Sequence, residues 1–79
     1  LPISDLCIYL LDFLKTYYPL CLKERFDIEE INDPSEVLRQ IAKRRQAMIN
    51  GDLDIEKAEK ILLKEFKDGK LGKITLEHL

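Results

Sequence analysis

The chain is short of the residues that usually do chemistry. Its single histidine, His78, stands at the tail, so neither a Ser-His-Asp nor a Cys-His arrangement can be assembled around it. A metal site would want more Cys or His than are present. Two cysteines, Cys7 and Cys21, are too few for a disulfide scaffold and read as buried thiols of a cytoplasmic protein. Of the three glycines, the pair in Gly69-Lys70-Leu71-Gly72 follows a helical pattern rather than a strand and lacks the Lys-Ser/Thr ending of a phosphate loop. Glu29-Glu30 is a paired acid in a polar connector, a solvated rather than a catalytic setting. No apolar run approaches the ~20 residues that cross a bilayer, and no basic segment with an apolar run and small-residue cleavage site argues for secretion. Repeats and low-complexity tracts are absent too. These absences leave no enzyme, cofactor or metal to expect in these residues, and no membrane partner. The opening Leu-Pro, in place of Met, reads as the start of a fragment of something longer or of a processed chain.

What is present is a helical pattern. The 79 residues, 46% apolar and 35% charged, suit one domain over residues 1–79 with one modest core. The clearest stretch is Asp54 to Leu76. Wound at about 100° per residue, it gathers Ile55, Ala58, Ile61, Leu62 and Phe66 on one side and Lys57, Lys60, Lys64 and Lys67 on the other. Asp54 is a natural N-cap. Gly69 suits the left-handed residue that closes a helix, and Lys67 and Lys70 suit its negative end.

Earlier in the chain, Ser4 to Tyr18 predicts a first helix, capped by Ser4. Its arc of Leu6, Cys7, Leu10, Leu11, Phe13, Leu14, Tyr17 and Tyr18 is wide enough to be touched on several sides. Pro19 ends it, and Pro19 to Phe26 predicts a short second helix burying Leu20, Cys21, Leu22 and Phe26. An acidic connector follows, which Ile28 and Ile31 could pin to the core. Asp33-Pro34-Ser35-Glu36 starts a third helix, with Asp33 as cap. That helix runs to Arg45 or Ile49, with Val37, Leu38, Ile41, Ala42, Met48 and Ile49 on one face. Arg45 breaks the face: either the helix ends there, or the guanidinium is partly buried against a carboxylate or carbonyls, since burial unpaired is costly. Asn50-Gly51-Asp52-Leu53 predicts a turn in which Asn-Gly supplies positive φ. The fold class expected is all-α, a small bundle of four helices, or five with a short closing one, around one core. Leu71 to Leu76 reads as a closing turn or extended tail rather than a long fifth helix.

Charge is unevenly spread. The net charge is −2, yet residues 1–36 carry three basic and eight acidic groups, while residues 37–73 carry ten basic and six acidic. Such asymmetry suits a polyanion-facing second half. The candidates are Arg39, Lys43 and Arg44 on the third helix, then Lys57, Lys60, Lys64, Lys67, Lys70 and Lys73. Lysines bind phosphate backbones as point charges and read no base sequence. No aromatic is interleaved with them to stack bases. A lysine stripe opposite an apolar one is also what an ordinary surface helix shows, so charge alone does not decide.

Several stretches resemble a known family. They are Ile41-Ala42-Lys43-Arg44-Arg45, then Asp54, the opening Tyr9-Leu10-Leu11-Asp12-Phe13-Leu14 with Tyr18-Pro19 and Leu22-Lys23-Glu24-Arg25-Phe26, and above all Phe66-Lys67-Asp68-Gly69-Lys70-Leu71-Gly72-Lys73-Ile74-Thr75-Leu76-Glu77. Together they look like the C-terminal domain of the circularly permuted ribosome-assembly GTPases of the YlqF/RbgA type, over nearly the whole chain. One departure stands out. The family often carries glycine after the arginine matching Arg45, and this chain has Gln46.

The resemblance implies a helical domain that follows a GTPase domain and helps grip the immature large ribosomal subunit through ribosomal RNA. GTP and magnesium are implied only for the parent protein, because the nucleotide-binding half is not in this sequence. The leading expectation is therefore an RNA-contacting accessory domain. A protein-interaction module docking on its own GTPase domain or another protein, through Tyr17, Tyr18 and the acidic connector, is the alternative. A helical RNA-binding domain like those of transcription antiterminators is the third.

Overall fold

The computed structural model describes residues 2–31 and 33–72. Four helices and one small hairpin make up this part: α1 Ile3–Tyr17, α2 Pro19–Phe26, α3 Pro34–Arg44, β1 Met48–Ile49, β2 Asp52–Leu53 and α4 Ile55–Lys67. The architecture is the expected helical bundle, with the hairpin as an addition. Lys73 and the tail through His78 lie outside the described residues.

Local chemistry sets each boundary. Pro19 pushes Tyr18 out of helical geometry, to φ −137° and ψ 52°, and becomes the first residue of α2. Asp33 and Asp54 cap α3 and α4, accepting from the Glu36 and Lys57 N–H groups at 2.9 and 3.1 Å. The start of α1 differs from expectation. Ser4 lies inside the helix, Pro2 holds the cap position, and no side chain accepts there.

α3 and α4 end alike. After Lys67 the chain passes through Asp68 to Gly69 at φ 74°. Gly69 N–H donates to the Phe66 carbonyl and Lys70 N–H to that of Glu65, the paired bonds of a Schellman closure. After Arg44 the chain passes through Arg45 to Gln46 at φ 54°, with Gln46 N–H donating to Lys43 and Ala47 N–H to Ala42. Gln46 thus takes a left-handed turn, the conformation that glycine adopts most easily.

That closure stops α3 before Met48 and Ile49, which correspondingly leave the predicted buried face. They form β1, pair antiparallel with Leu53 and Asp52, and are both exposed. Asn50 and Gly51, at φ 51° and 85°, supply the two left-handed residues of the hairpin loop. The Asp54 N–H donates to the Ala47 carbonyl at 2.7 Å and shuts the connection to α4.

The core gathers Cys7, Leu11 and Leu14 from α1, Leu22 and Phe26 from α2, Val37, Ile41 and Ala42 from α3, and Ala58 and Leu62 from α4. Ile28 and Leu71, outside the helices, are buried in the same core. α1 and α3 each pack on all three other helices. α1 is nevertheless wetter than its composition suggests. Ile3, Leu6, Ile8, Tyr9 and Tyr17 are exposed, and so is Leu20 of α2, expected inside.

Candidate nucleic-acid interface

On α4, every third or fourth residue is a lysine. Lys57, Lys60, Lys64 and Lys67 fall within about 80° of the helix circumference, roughly opposite the buried Ala58 and Leu62. All four are exposed, and among the described residues none forms an ion pair. Their charge is therefore available to an external anion.

The α3 candidates turn outward as well. Arg39 and Lys43 are exposed and border one shallow hollow with Glu36, Gln40 and Leu53. Arg44 is partly committed, since its Nη1 lies 3.5 Å from Asp27 in an exposed pair, a contact worth little in water. Lys60 borders a separate hollow with Pro2, Ile3, Ser4, Glu56 and Glu59. Lys70 lines a third with Cys21, Glu24, Arg25, Leu71 and Gly72. The predicted cations thus divide into the α4 row, an α3 group of Arg39, Lys43 and the exposed, paired Arg44, and Lys70 by itself.

Arg45 is both of the things its place in the sequence allowed. It is the C-cap residue of α3, and it is half-buried against a carboxylate. Its Nη1 and Nη2 donate to Glu65 Oε2 and Oε1 at 2.5 and 2.9 Å. Its guanidinium carbon stands 5.1 Å from the centre of the Phe26 ring. Arg25 of α2 donates through Nε to the same Oε1 at 2.6 Å. One buried carboxylate on α4 therefore ties α2 and the end of α3 together.

Burial alone would push the Glu65 carboxyl up. The hydrogen bonds and charges of Arg45 and Arg25 outweigh it, and the group sits below the ordinary glutamate value. Glu65 and Arg25 escaped the reading of the sequence. The available signal was a carboxylate on the apolar face of α4 and an arginine on that of α3, two misplaced opposite charges that satisfy each other.

Elsewhere the groups are structural or inert. Cys7 is fully buried and its Sγ donates to the Glu59 carbonyl at 3.7 Å. Burial, with the Glu59 charge adding to it, raises the thiol to about 11. Among the described residues no cluster of His, Cys, Asp and Glu could hold a metal ion, and no helix is long and apolar enough to cross a membrane.

Comparison with known proteins gives a consistent relationship. The chain is 38% identical over 79 residues to ribosome biogenesis GTPase A of Bacillus cereus, 33% over 79 residues to that of Priestia megaterium and 32% over 79 residues to that of Bacillus licheniformis. The matches take in 98%, 98% and 95% of this chain. The chain spans 27% of the length of each relative, at its C-terminal end. The resemblance read from the closing motif therefore extends over the whole chain. No family model matches, and no solved structure gives a significant match.

Proposed function

We propose, from the premise that a chain matching the C-terminal 27% of ribosome biogenesis GTPase A is a domain of such a protein, that it is an accessory RNA-binding domain acting in large-subunit assembly. The observation that carries this reading is the α4 row: Lys57, Lys60, Lys64 and Lys67, exposed and without carboxylate partners among the described residues. Arg39 and Lys43 of α3 supply further exposed positive charge. Such a surface takes up phosphates of a folded ribosomal RNA by charge and shape rather than by base readout. Catalysis belongs to the preceding part of a longer chain, where GTP and magnesium would bind. These residues supply grip.

The test is a titration of the chain with structured ribosomal RNA at several salt concentrations. Each phosphate contact releases counterions, so affinity should fall linearly on a log–log plot. Each lysine neutralised should take about 0.9 from the slope. Binding that ignores salt, or survives the change of all four α4 lysines to glutamine, rejects the mechanism.

A second reading is favoured by a separate observation, the exposed Ile3, Leu6, Tyr9 and Tyr17 of α1 and the exposed Leu20 of α2. Apolar side chains grouped this way suit protein docking, either on the parent's own GTPase domain or on a protein partner. Changing Tyr9 and Leu20 to aspartate should then loosen that docking while leaving the RNA titration unmoved.

A further inference from the structure

The groove between α2 and the turn after α4 joins two cations from distant parts of the sequence, Arg25 and Lys70. It measures about 410 Å³ and is open to solvent, with Cys21, Glu24, Leu71 and Gly72 as its other walls. Gly72, at φ 100°, brings the returning chain close over α2: a Cβ there would lie 3.6 Å from Cys21 Sγ.

Arg25 is not an ordinary surface arginine. Its Nε is bound to the buried Glu65, and Glu65 is already gripped by both Nη groups of Arg45. Both Nη groups of Arg25 are left with no partner among the described residues, on a side chain 38% exposed. Two arginines share one carboxylate, so a positive charge remains over. Lys70 adds a second and Glu24 removes one, so the groove stays positive. A guanidinium fixed at one edge, with four N–H donors free at the other, suits the paired oxygens of a phosphate.

We infer that this groove holds one backbone phosphate of the bound RNA, with Arg25 as the fork that contacts it, Lys70 as the second cation and Glu65 as the positioning residue behind Arg25. The inference rests on the RNA reading above and adds to it a defined contact away from the α4 row. It makes the groove a point of register, where the α4 lysines give only diffuse attraction.

The experiment compares the chain with Lys70→Gln, Arg25→Lys and the quadruple α4 lysine variant, using a short ribosomal RNA duplex at several salt concentrations. Lys70→Gln breaks no side-chain hydrogen bond or ion pair among the described residues. It should weaken binding several-fold and lower the salt slope by about one. Arg25→Lys keeps the charge and loses the fork, so affinity should drop several-fold with the slope held. Thermal melts on the same samples separate a loss of contact from a loss of fold. The Arg25 Nε–H resonance should shift on adding the duplex. Full affinity in both groove variants, with binding lost only in the α4 variant, overturns the groove and leaves the RNA reading standing. Failure of the unaltered chain to bind RNA at low salt overturns both. A resonance that moves with inorganic phosphate and not with the duplex overturns the assignment to RNA.

Discussion

Replacing Glu65 by glutamine probes what the two arginines contribute to the fold. The change keeps size and shape and removes one charge. Breaking a buried ion pair from one side costs ~3–5 kcal/mol, because the partner left behind is uncompensated. Here the carboxylate side chain is 7% exposed, but those of Arg25 and Arg45 are 38% and 31% exposed, so water can take up part of what they lose. Glutamine also keeps an oxygen able to accept one of the three donors. The expected loss is therefore about 2 kcal/mol. For a domain of this size, with about 4–12 kcal/mol in all, that is a large share, and it should lower the melting temperature by about 8–16 °C. Thermal and urea unfolding followed by circular dichroism at pH 7 would measure it.

The pH dependence gives the sign. Glu65 is held below the ordinary glutamate value, about 4.3 in an unfolded chain, so its contribution is fully present above that value. It is lost as the pH falls through the lower, folded value. The gap between the native chain and Glu65→Gln should thus be constant above about pH 5 and close on acidification. A loss under about 0.5 kcal/mol at pH 7, or a gap that widens in acid, would refute the reasoning.

Two further predictions concern single residues. Gln46→Gly should raise stability by about 0.5–1 kcal/mol, since a side chain at φ 54° carries left-handed strain that glycine avoids, less glycine's greater freedom when unfolded. An unchanged or lower melting temperature would count against it. Of the thiols, Cys21 should be alkylated by iodoacetamide at pH 8 well before Cys7, which is fully buried and raised to about 11. Peptide mass spectrometry reads the order, and equal labelling of both would contradict the burial.

Much of the fold was legible because its stops are local. Pro19, Asp33, Asp54 and Gly69 each act through their own backbone neighbourhood, and each sits at the helix boundary it signals. The end of α3 was harder. Apolar spacing continues from Ile41 to Met48 and Ile49 as though the helix did too, and glutamine is not a residue that announces a left-handed turn. Its place after Arg45, where the resemblance led to an expectation of glycine, was a hint. The wet side of α1 was invisible for another reason: periodicity tells which side chains are apolar, and not how many neighbours are there to cover them. At the candidate interface, the α4 row could be read directly from spacing within one helix. The Arg25–Glu65–Arg45 cluster could not, because it joins residues 20 and 40 positions apart that only packing brings together.

The hydrogen bond from Asp54 to Ala47 and the two-residue Asn50-Gly51 loop leave little slack between α3 and α4. The spacing between the Arg39–Lys43 pair and the α4 row is consequently settled when the chain folds. Under the proposed RNA reading, meeting a polyanion would demand no ordering of this segment, and encounter would proceed at a pace governed by diffusion and long-range attraction, as between a die and the surface it stamps.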